Sequence, residues 1–86
     1  MRKSLRSQDH AHLIAMLKAE RKRAKLTQQQ VADQLGVPQS YVAKYEGGER
    51  RLDVLEYIAV VRAIGSDPVE LLGRLSGLYA LDANVI

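Results

Sequence analysis

The 86-residue chain has no cysteine, no tryptophan and no phenylalanine, and only two prolines. Without cysteine there is neither a disulfide framework nor cysteine-ligated zinc, which fits a reducing compartment. No apolar run approaches the ~20 residues that a membrane span needs. The first twelve residues are charged without an apolar centre, so they make no signal peptide. The expected location is cytoplasmic, with no membrane partner. Strand-like alternation, internal repeats and low-complexity stretches are missing as well.

The signatures of catalysis are equally sparse. His10 and His12 stand two apart and point to different sides of a helix, with no acids or cysteines spaced to complete a metal site. Gly47 and Gly48 close a helix, whereas a phosphate-binding loop opens one. Ser4, Ser7, Ser40, Ser66 and Ser76 carry no nucleophile signature, and the paired carboxylates are explained as helix caps. The expectation is a protein that is not an enzyme and uses no metal or cofactor.

What is present is charge, unevenly spread. The net charge of +3 divides into residues 1–25, with eight Lys/Arg against two acids (+6), and residues 26–86, with five against eight (−3). Arg2, Lys3, Arg6, Lys18, Arg21, Lys22, Arg23 and Lys25 are cations that can neutralise phosphates and release counterions. A solvated helix face is the plainer reading of a charge run taken alone.

The helical pattern is most sharply written over residues 27–48. Thr27 precedes an apolar-periodic run and has Gln30 three residues on, a capping box, while Leu26 and Val31 fall at the positions of a hydrophobic staple. Val31, Ala32 and Leu35 share a face, and Gly36 follows where a left-handed residue ends the helix. A second short helix begins near Pro38, which tolerates the first turn, and runs to Gly47-Gly48, burying Val42 and Tyr45. Ala32 is small where the two helices cross, and Val37 plugs the turn between them. This spacing is that of a helix-turn-helix.

Around this pair, Leu13, Leu17 and Ala24 with Ile14 and Met16 predict a first helix over about Gln8–Lys25. Asp53 and Glu56 repeat the capping box, with Leu52 and Tyr57 as staple, and open a helix ending near Gly65. Asp67-Pro68-Val69-Glu70 starts a last one through about Leu75. The result is an all-α bundle of five helices in one domain over residues 1–86, with a core at about 8–75, a basic N-terminal arm and an apolar C-terminal tail. The fourth helix is apolar on nearly every side, leaving only Glu56 and Arg62 charged, so it needs cover beyond one face. The apolar tail (Leu78, Tyr79, Leu81, Val85, Ile86) and the same surface of a second copy are the two candidates, and they can coexist.

The stretch from about Leu13 to Leu72 resembles the helix-turn-helix domains of phage repressors and Cro proteins, the XRE type. The matching points are Arg21, LTQ at 26–28, Ala32, LGV at 35–37, Val42, YEGGERR at 45–51 and AIG at 63–65. The resemblance implies a lambda-repressor-like DNA-binding fold and a sequence-specific transcription regulator that grips double-stranded DNA as a homodimer. Repression by blocking polymerase is the simplest mechanism. Gln39 through Lys44 would enter the major groove. Gln28, with Gln29 beside it, would contact phosphate and brace the recognition helix.

Gln39 and Ser40 would lie nearest the base edges, where glutamine pairs with adenine and serine donates or accepts. Lys44 suits guanine, and Tyr41 offers a hydroxyl to phosphate or a ring to a thymine methyl. Gly48, Arg50 and Arg51 resemble the loop that holds the phosphates, and Arg21 and Glu46 match an ion pair between the first and third helices. Pro38 departs from the family, which commonly places a capping serine or threonine there. A second reading, from another class, is a protein-interaction module, such as an antitoxin holding a partner protein through its apolar C-terminal surface.

Overall fold

The computed structural model describes residues 3–78, with side chains over residues 8–77. Five helices make up the described chain: α1 (Lys3–Arg23), α2 (Gln28–Leu35), α3 (Gln39–Glu46), α4 (Val54–Ile64) and α5 (Pro68–Leu78). The fold is all-α, and there is no strand among the described residues. The expected basic arm and apolar tail lie outside the described side chains.

Each interior helix start is fixed by its own residues. Thr27 accepts a hydrogen bond from the Gln30 amide while the Gln30 side chain accepts from the Thr27 amide; Asp53 and Glu56 do the same for α4. Asp67 Oδ1 accepts from the Val69 amide at 2.8 Å, opening α5. Pro38 is the exception and a small correction: it is the cap residue with ψ 153°, not a first-turn residue, and it supplies no side-chain cap. The helix that follows starts at Gln39.

The helix ends share one device. After each of α1 to α4 the chain closes with a six-to-one and a five-to-two backbone hydrogen bond about a left-handed residue, the Schellman arrangement. For α2 these are Val37 N–H to Ala32 C=O and Gly36 N–H to Asp33 C=O, with φ 71° at Gly36. For α1 they are Leu26 to Arg21 and Lys25 to Lys22, and the left-handed residue is Lys25, at φ 60°. The first helix therefore stops at Arg23 rather than running to Lys25, and Ala24, expected on its apolar face, is exposed. At its other end α1 begins at Lys3, five residues before the expected start, because no breaker stands between Lys3 and Gln8.

The core gathers Leu17 of α1, Val31 and Ala32 of α2, Val42 and Tyr45 of α3, Val60 and Val61 of α4 and Leu71 of α5, all completely buried. Ala32 sits where α2 meets α3, and Leu26, Val37 and Leu52 pack on the cluster from the turns. Burying a side chain of this size stabilises the fold by about 1.5–3 kcal/mol. On α4, Tyr57, Val60, Val61 and Ile64 face inward, while Val54 and Leu55 remain 71% and 77% exposed. α5 runs to Leu78, a turn beyond its expected end, burying Leu71 and Leu75.

Candidate nucleic-acid interface

One chain of hydrogen bonds joins the starts of α2 and α3 to the end of α1. Gln39 Nε2, in the first turn of α3, donates to Gln28 Oε1 at 2.6 Å. Gln28 Nε2 donates in turn to Glu46 Oε1 at 3.0 Å. Glu46 also accepts from Arg21 through both oxygens, Nε to Oε2 at 2.6 Å and Nη2 to Oε1 at 2.9 Å, a bidentate pair. The remaining Arg21 nitrogen, Nη1, donates to the Leu26 carbonyl at 2.8 Å, at the end of the turn into α2.

The Arg21 and Glu46 side chains are only 10% and 3% exposed, so water does little to screen this pair. Burial works against the charged form of Glu46. The hydrogen bonds from Arg21 and Gln28 and the charges of Arg21 and Lys18 outweigh it and hold the carboxyl below its ordinary value. Removing one partner would strand a buried charge, which costs about 3–5 kcal/mol. Local geometry alone does not bring residues 21 and 46 together. Their pairing follows from α1 crossing α3.

The flank of α3 that faces away from the core is polar. Gln39, Ser40 and Lys44 are exposed, as are Gln29, Gly48 and Arg51 around it. Gln29 Nε2 donates to Asp33 Oδ1 at 2.8 Å, one helical turn on. Gly48 has φ 79°, a conformation a side chain would strain, and it turns the chain so that Arg51 leaves toward solvent. Tyr41 is half-buried, its ring edge-on to Tyr45 at 5.9 Å.

Arg50 is placed differently from Arg51. Its guanidinium lies over the Tyr41 ring, 4.6 Å from the centroid, and Nη2 pairs with Glu56 in the first turn of α4. Sequence reading did not find this link between α3, the loop and α4, because residues 41, 50 and 56 share no periodicity. A second buried acid also escaped it. Glu20 accepts from Arg23, from Ser66 Oγ at 2.8 Å and from Arg74 Nη2 at 3.1 Å, joining α1 to α5 and to the turn before it. The bond from Arg23 is the largest influence on this carboxyl, and with Ser66 and Arg74 it overcomes burial and holds it down at about 2.

Among the described residues no cluster of His, Cys, Asp or Glu could hold a metal ion, and no helix is long and apolar enough to cross a membrane.

A polar first-turn flank on the second of two short crossed helices, braced by the first, is the architecture of a helix-turn-helix DNA-binding protein. A helix-turn-helix family model, HTH_3, matches residues 17–71, and the chain belongs to this family, in its XRE type. Its relatives among solved structures agree. An XRE-family like protein from Pseudomonas syringae pv. tomato is 41% identical over 88% of this chain and 93% of its own, with a TM-score of 0.85. The restriction-modification controller protein C.AhdI from Aeromonas hydrophila is 26% identical over 74% of this chain and 97% of its own, with a TM-score of 0.67. The clp gene regulator ClgR from C. glutamicum shares the fold at 23% identity and a TM-score of 0.72, over 86% and 96% of the two chains. No curated protein matches the sequence. The family is one of DNA-binding transcription regulators rather than enzymes.

Proposed function

We propose that this chain is a sequence-specific transcription regulator that reads the DNA major groove with α3 as a homodimer, and that it represses by occupying its site. The observation that carries the reading is the brace from Gln39 through Gln28 and Glu46 to Arg21, which fixes the angle of an otherwise free polar flank. On that flank Gln39, Ser40 and Lys44 face base edges, and Tyr41 borders them. Gln28, Gln29, Gly48 and Arg51 hold the phosphates, positioning the helix without reading sequence. Arg50 contributes charge at the rim while stacked on Tyr41.

Dimerisation would set two such helices about 34 Å apart on one face of the duplex. The exposed apolar side chains Val54, Leu55, Val69 and Leu72 of α4 and α5 supply a surface for it. A partner protein would use the same surface, but the polarity of the α3 flank favours DNA.

Salt and two substitutions test the reading together. Specific binding is expected to weaken by up to ~10³ between 50 and 200 mM salt. Lys44→Ala should cost ~1 to 3 kcal/mol on the preferred site and relax one base position, whereas Arg51→Ala should weaken all sequences alike. Equal losses for both variants on specific and random duplexes would overturn the assignment of Lys44.

A further inference from the structure

Beside the loop that follows α3 lies an open groove of about 520 Å³, between that loop and the middle of α1. Its size falls within the ~300–1,000 Å³ typical of small-molecule sites. Ile14 and Ala15 make an apolar floor, while His10, Lys18 and Arg51 stand on its lining as groups able to carry positive charge. The one acid on that lining, Glu46, spends its hydrogen bonds on Arg21 and Gln28 and reaches Lys18 only through its charge. No hydrogen bond or ion pair occupies Lys18 or Arg51 among the described residues.

His10 adds an independent observation. Its Nε2 is buried and has no hydrogen-bond partner among the described residues, a state native proteins rarely leave unexplained. Burial and then the nearby Arg51 charge hold the imidazole below its ordinary value. An anion in the groove would offset the Arg51 charge and so favour the protonated, cationic imidazole.

We propose that the groove binds a small organic anion, a compact hydrocarbon body bearing one carboxylate or phosphate, with the body on Ile14 and Ala15 and the anionic head among His10, Lys18 and Arg51. Arg51 and Gly48 belong also to the surface assigned to phosphates. An occupied groove therefore takes a cation away from DNA, and the ligand lowers DNA affinity. This regulatory half rests on the DNA-binding reading; the binding half does not.

Calorimetry with the whole chain tests both, using octanoate as probe, acetate for the head alone and 1-octanol for the body alone. Octanoate should bind saturably, and acetate and octanol at least tenfold more weakly. Ala15→Leu fills the floor from an exposed position, and Lys18→Gln removes one cation from another; each should weaken octanoate by about tenfold while the melting temperature holds. Saturating octanoate should reduce duplex affinity of the parent chain but not of Ala15→Leu. Absence of saturable octanoate binding, or unchanged binding in both variants, overturns the site. Loss of DNA affinity in Ala15→Leu without octanoate binding to the parent means that the groove seats a DNA phosphate, which also overturns it. Octanoate binding by a chain that prefers no duplex supports the site and overturns its regulatory role.

Discussion

Glu20 and Glu46 are two nearly buried glutamates, each accepting three hydrogen bonds, and each tied to α1. Their partners differ. Glu46 holds Arg21, itself 10% exposed, whereas Glu20 holds Arg23 and Arg74, whose side chains are 71% and 47% exposed. Removing Glu46 strands a cation inside the protein; removing Glu20 releases two cations into water. Their reach differs too. Glu46 connects through Gln28 to Gln39 on the reading flank, and Glu20 connects to Ser66 and Arg74, on the α5 side of the molecule. Adjacent positions on α1, residues 20 and 21, thus serve opposite sides of the bundle, one tying α1 to α5 and one orienting the polar flank of α3.

The largest expected effect follows from that contrast. Glu46→Ala should destabilise the fold by about 3–5 kcal/mol, lowering Tm by more than about 10 °C for a domain of this size. Glu20→Ala should cost less, about 1.5–3 kcal/mol, the worth of hydrogen bonds to a charged group. It should also leave the preferred DNA sequence unchanged. Thermal melts of the two variants side by side decide whether partner burial sets the difference, since equal losses would contradict it.

Acid sharpens the same comparison. The Glu20 carboxyl is depressed to about 2 from an ordinary 4.5, so its contribution is fully present above pH 4.5 and fades as pH falls toward 2. Over that window the parent should lose Tm more steeply than Glu20→Ala. The smallest effect concerns the end of α1. Lys25 is a side-chain-bearing residue at φ 60°, and Lys25→Gly should raise stability by about 0.5–1 kcal/mol without altering either glutamate's network.

The features legible in the sequence are those whose partners lie within a turn or two. The capping boxes at Thr27–Gln30 and Asp53–Glu56 could be read because a cap spans three residues, and Gly36 and Gly65 because the left-handed bend they make favours glycine. The end of α1 could not, since the same bend there is taken by a lysine that sequence logic reads as helix-forming. The pairing of Arg21 with Glu46, 25 residues apart, was visible only through family resemblance. Glu20 with Arg74, 54 residues apart, had no such guide and left no trace in the sequence pattern. For the interface, spacing gave the buried side of α3, Val42 and Tyr45, and the polar flank with Gln39, Ser40 and Lys44 was read through the family resemblance. That Arg50 stacks on Tyr41 while Arg51 is exposed depends on the path of the loop after Gly48, which spacing does not encode.

Whether the brace through Gln28 positions Gln39 to read bases is decided by selecting binding sites from a random duplex pool with the parent chain and with Gln28→Ala. The parent should enrich a two-fold symmetric site, and Gln28→Ala, less stable for want of its bond to Glu46 but assayed below its melting transition, should lose about tenfold on that site and tolerate more bases where Gln39 lies. Enrichment of the same site with the same sharpness by both proteins, or no enrichment by the parent, would contradict it.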